Sequence, residues 1–72
     1  MAQRELREGE RVGRFVVLRD VEGRMHAVSA SSVGAICEDD GGALLLLPGG
    51  RMIRVERPLE QVLGWLEVGA RS

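Results

Sequence analysis

Seventy-two residues with ten basic and eleven acidic side chains give a formal charge of −1, and a chain of this size makes one small domain. The basic residues are all arginine, and the near-neutral balance supplies no overall field to draw nucleic acid or acidic lipid. A single cysteine excludes an intramolecular disulfide, and His26 with Cys37 makes no metal-ligand cluster, so a core this small is expected to gain support by self-association.

Within residues 1–13, the stretch 4–10 alternates arginine and glutamate around the lone apolar Leu6. The Arg4–Glu8 spacing allows a helical ion pair of about 0.2–0.5 kcal/mol, too little to hold a helix that has no apolar face. A charged, flexible arm is therefore expected here, followed by one domain over 14–69 and a frayed tail over 70–72. The arm lacks the apolar core of a secretory signal. The longest apolar run, Ala43 to Pro48, is too short to span a bilayer, so a cytoplasmic protein without membrane insertion is expected.

Phe15-Val16-Val17-Leu18 is the first predicted strand, with β-branched and aromatic residues that suit a pleat. Glu22-Gly23 turns the chain into a second strand over 24–29, and the small polar Ala30-Ser31-Ser32 reads as a loop or a single helical turn. A third strand covers 33–38, where Gly34 suggests a bulge or a close backbone approach. Asp39-Asp40-Gly41-Gly42 carries the residue types that reach positive φ in tight hairpins. Beyond it the four leucines of 44–47 put apolar side chains on both faces of a strand, and flanking glycines and Pro48 favour strand over helix. After Pro48-Gly49-Gly50 a last strand over 51–56 sets Ile53 and Val55 on one face and Met52, Arg54 and Glu56 on the other.

Pro58 suits the first position of a helix. Leu59, Val62, Leu63 and Leu66 follow at the spacing of one apolar stripe, and Gly69 is placed to end the helix. Gly64, in mid-helix, costs about 1 kcal/mol relative to alanine, which close packing on the sheet would explain. The expected fold is thus a β-rich α+β domain: a small antiparallel β-meander or barrel-like sheet of four or five strands with one C-terminal helix.

The order of these elements resembles the FlbD family, small flagellar-associated proteins also called SwrD. The features that carry it are Val17-Leu18, Gly23-Arg24, Val33 with Ile36, Glu38 and Asp40, Leu45 with Leu47, Gly50-Arg51, Ile53 with Val55, and Leu59 to Leu66. They span about three-quarters of the chain. The family's Asn-Pro-Asp-like segment is here Ser29-Ala30-Ser31-Ser32, and the charged arm is additional. The resemblance implies a non-enzymatic role linked to motility and transfers no site residue.

Candidate chemistry is sparse. His26 has no nucleophile at a triad-like spacing, and Cys37 stands beside Glu38-Asp39-Asp40, whose charge disfavours a thiolate. That acidic run lacks calcium-loop spacing and closes as a turn. No glycine-rich phosphate motif accompanies the glycine pairs. Neither an enzyme nor a cofactor is therefore expected. Arg51, Arg54 and Arg57 could meet phosphate or a partner's carboxylates, although strand alternation separates Arg54 from the other two. Two aromatics, Phe15 and Trp65, are few for stacking bases. Leu44, Leu45, Leu46 and Trp65 are the candidate partner or oligomer interface.

The leading expectation is a non-enzymatic interaction or regulatory module working as a homo-oligomer, most simply a homodimer, with a further protein partner. One alternative is a nucleic-acid-binding regulator using Arg51, Arg54 and Arg57. Another is a small inhibitor, such as a phage-encoded one, that docks a host enzyme.

Overall fold

The computed structural model describes residues 5–70. The first strand, β1 (Arg11–Val12), is antiparallel to β2 (Phe15–Arg19), which pairs in turn with β3 (Met25–Ser29). A 3-10 turn over Ala30–Ser32 leads to a second meander of β4 (Ala35–Asp39), β5 (Gly42–Leu47) and β6 (Arg51–Val55). Helix α1 (Leu59–Ala70) ends the described chain. The strands thus form two three-stranded sheets, where the sequence suggests one sheet of four or five. The break falls at Ala30–Gly34, and the additional strand, β1, comes from the segment read as an arm.

Turn chemistry sets the hairpins. Asp40 and Gly41 both hold positive φ, 51° and 80°, so β4 and β5 join through a two-residue turn whose twist matches the strands. Gly42, the first residue of β5, is a close approach: a Cβ there would lie 2.6 Å from the Val55 carbonyl oxygen of β6. Gly34 precedes β4 and donates its N–H to the Leu46 carbonyl at 2.9 Å.

One apolar cluster lies between the sheets and the helix. Val16, Leu18 and Val28 come from the first sheet, Ala43, Leu45, Ile53 and Val55 from the second, and Val62 and Leu66 from α1. Cross-strand registers explain the choice, because Leu45 pairs with Ile53 and Ala43 with Val55, so the apolar face of β6 selects the inward face of β5. Leu44 and Leu46 consequently face the other way.

The helix buries a slightly different stripe from the expected one. Val62 and Leu66 are buried, Leu59 and Trp65 are half-buried against the core, and Leu63 is 48% exposed. Trp65 takes the inward place because it packs on the N-terminal segment, where Gly9 is essential. Gly9 has φ 84°, and a Cβ on it would approach Trp65 Cε2 to 2.5 Å. Its N–H donates to Val17 at 2.7 Å, the Val17 N–H donates to Glu10 at 2.8 Å, and Glu8 pairs with Arg57. Residues 8–12 therefore extend the first sheet, whereas a free arm is expected there from the sequence. Met1–Arg4 of that arm, and Arg71 and Ser72 of the expected tail, lie outside the described residues. Gly69 stands inside α1, which runs on to Ala70, and does not end it.

Gly64 is exposed, and a Cβ there would meet nothing within 4 Å, so the close packing expected at this glycine is absent. Gly64→Ala should then raise stability by about 1 kcal/mol in urea unfolding, through helix propensity and the lost freedom of the unfolded chain. Gly42→Ala should lower it, because the Val55 carbonyl must move.

Candidate functional site

The outward face of the second sheet carries the apolar residues that the core leaves over. Ala35, Leu46 and Met52 are register partners across β4, β5 and β6, and Cys37, Leu44 and Arg54 form the next row. Met52 is 63% exposed, Ala35 and Cys37 are exposed, and Leu44 and Leu46 are half-buried. Of the four residues expected at an interface, only Leu44 and Leu46 share this face. Leu45 has no exposed surface and belongs to the core, since alternation sends it inward between its two neighbours. Trp65 lies against Gly9 and the core. Ala35 and Met52 complete the face, and the alternation of β6 was the signal for Met52.

The three arginines are divided. Arg54 Nη1 bonds Asp39 Oδ2 at 2.7 Å on the outward face. Arg57 meets both carboxylate oxygens of Glu8, with Nη2 to Oε1 at 2.9 Å and Nε to each oxygen at 3.2 Å. Those hydrogen bonds, with the charge of Glu8, raise the Arg57 pKa above its ordinary value. Arg51 makes no ion pair among the described residues, and it pairs with Leu47 at the opposite end of β6 from Arg54. Two of the three cations are therefore engaged in holding the fold.

His26 belongs to a turn-stabilising cluster. Asp20 Oδ1 accepts the N–H groups of Glu22 and Arg24, each at 2.9 Å, and Oδ2 lies 2.8 Å from His26 Nε2. With the Asp20 N–H donating to Arg24 and the Gly23 N–H to Asp20, both at 2.9 Å, these bonds close the β2–β3 hairpin. Cys37 is exposed with Sγ 3.9 Å from the Leu44 carbonyl oxygen. In the acidic turn Asp39 is taken by Arg54 and Asp40 supplies the positive φ. Among the described residues no three His, Cys, Asp or Glu side chains converge.

A second surface feature lies where the sheets end. β3 and β6 are both edge strands, and the Val21 N–H donates to the Arg54 carbonyl at 2.9 Å where the β2–β3 turn reaches β6. Away from that bridge the seam opens into a groove of 360 Å³ whose lining includes Phe15, Ala27, Val28, Leu47, Arg51 and Ile53. Alternation and turn residues say nothing of how two sheet edges approach each other, so this groove had no sequence signal.

No protein-family model, curated protein or solved structure matches the chain. Among the described residues no helix is long and apolar enough to cross a membrane.

The Asp20 cluster has a pH signature. The His26 hydrogen bond, aided by the Arg24 and Glu22 amides and opposed by burial, holds the Asp20 carboxyl below its ordinary 3.8. A carboxylate held low contributes stability that is complete above its unfolded value and is lost as pH falls through its folded one. The Glu22 and Arg24 amide resonances should thus titrate together with a midpoint below 3.8. Asp20→Asn should abolish that titration.

Proposed function

We propose that this protein is a non-enzymatic interaction or regulatory module that works as a homodimer in the cytoplasm, with a motility-linked role implied by its resemblance to the flagellar-associated family. The observation that supports the dimer is the apolar row Ala35–Leu46–Met52, flanked by Cys37 and Leu44, on the outward face of the second sheet. Leaving it in water forfeits about 25 cal/mol for each Å² of apolar area that a second copy could cover. A two-fold dimer is the commonest solution for such a face, because the same patch serves both subunits. The row also suits itself. It is small at Ala35 and long at Met52, so two-fold-related copies can set each methionine over the other's alanine. Methionine adapts readily to such a contact.

Sedimentation equilibrium at micromolar concentration is expected to give twice the chain mass. Met52→Glu and Leu46→Glu should each give monomer with an unchanged circular dichroism spectrum, because both side chains lie on the face opposite the core. A monomeric parent chain would overturn the proposal. So would sub-micromolar binding of duplex DNA that falls steeply with salt and is lost in Arg51→Ala with Arg54→Ala, which would put the nucleic-acid reading in its place.

A further inference from the structure

We propose that the groove along the free edge of β3 is a strand-addition site for an extended, acidic-apolar segment of a partner polypeptide. The argument begins with the backbone. Val17 exchanges bonds with Gly9 and Glu10 on the β1 side, so Val16 and Leu18 turn their N–H and C=O groups toward β3. Their register partners Val28 and His26 therefore point back to β2, as Arg24 does through its bond from Asp20. Met25, Ala27 and Ser29 are left with N–H and C=O groups directed away from the sheet, and among the described residues no strand pairs with them. An edge of this kind, without proline or lysine, is a template for another strand.

What lies beyond that edge selects the occupant. Val28 and Ile53 are buried at the floor of the groove, and Leu47 and Phe15 lie beside them, with Phe15 41% exposed and without an assigned role in the core. The recess lies between two edge strands, β3 and β6, so an occupant that lies along β3 is an extended segment. Arg51 stands on the rim and has no ion pair among the described residues, so an acidic side chain is the complement at that end. Arg51 and Ile53 stand two residues apart on one face of β6, so the ligand chemistry is main-chain bonds to Ala27 and Ser29, an apolar side chain toward Val28 and Ile53, and a carboxylate two residues along on that same ligand face, toward Arg51. The bond from Val21 to Arg54 closes the other end and limits the added strand to a few residues.

This site is distinct from the outward row proposed for the dimer, and its test is run on the Met52→Glu chain as well as the parent, so failure of either proposal is read separately. The probe is a fluorescent, capped seven-residue peptide with valine at its centre, glutamate two residues to either side and serine elsewhere, so that the apolar and acidic side chains share one face in either chain direction. It should bind with saturable anisotropy and slow hydrogen exchange at the Ala27 and Ser29 amides. Ala27→Pro removes one donor from the free edge without touching the ladder to β2, and should weaken binding about tenfold. Arg51→Glu should weaken it by a similar factor. A peptide methylated on alternate backbone nitrogens should not bind, and this control holds even if the proline variant fails to fold. Equal binding of the methylated peptide, or of the same peptide with lysine in place of both glutamates, would overturn the proposal. Absence of binding to both chains would overturn it too. A change from dimer to monomer on Ala27→Pro would assign the edge to a second copy and overturn it as well.

Discussion

Neither sheet of this molecule is thick enough to bury its own apolar face, and everything else follows from their sharing one. Three short strands give marginal stability until their face is covered. Val16, Leu18 and Val28 on one side, and Ala43, Leu45, Ile53 and Val55 on the other, supply a single layer that both sheets use. Val62 and Leu66 of α1 complete that cluster. Leu45 illustrates how tight the arrangement is: it has no exposed surface, in the strand whose neighbouring leucines remain half-buried on the far side. Deleting it to alanine would cost about 2–5 kcal/mol, a large share of what a domain of this size can hold.

The N-terminal segment is the second consequence. A two-sheet core with one helix leaves the first sheet's β2 open along one edge. β1 and the turn over Glu8–Glu10 cover it, with Gly9 against the Trp65 indole and Glu8 paired with Arg57 just before the helix. Each contact joins residues from opposite ends of the chain, so the segment fastens the helix to the first sheet. An exposed ion pair adds little alone. Here it works together with backbone bonds at 2.7 and 2.8 Å and a ring that leaves no room for a side chain at residue 9.

Much of this was legible because it is local. The turn residues Asp40-Gly41, the Pro48-Gly49-Gly50 break and the spacing of Leu59, Val62 and Leu66 each encode their structure within a few residues, and strands and helix fall where those signals put them. The β5 leucines show where locality ends. A run of four identical side chains leaves open which alternate pair faces inward. The decision comes from β6, where only Ile53 and Val55 are wholly apolar on one face, through the register that sets Leu45 opposite Ile53. β1 was illegible for the same reason: two residues long and rich in charge, it becomes a strand only because β2 has an edge to fill. The Leu63-for-Trp65 exchange on the helix likewise depends on Gly9, which no window around the helix contains.

The surface left after these demands are met is not evenly polar, and its unevenness has a structural origin. Five strands of five or six residues and one of two residues cannot close a continuous ring of hydrogen bonds around so small a core, so edges remain at β3 and β6. Natural sheets usually blunt such edges with lysine, proline or an inward charge. β3 here reads Met25-His26-Ala27-Val28-Ser29 and has none of these. Its one polar ring, His26, is turned to Asp20 to close the hairpin. The outward row of the second sheet is likewise spared the charges of Arg54, one row away, and Asp39, in the row beyond it, which neutralise each other at 2.7 Å. A chain in which more than a quarter of the residues are charged has charge to spare for both places. Several of its charges are instead paired across turns and termini, as in Asp39 with Arg54 and Glu8 with Arg57, and none stands in the row Ala35–Leu46–Met52.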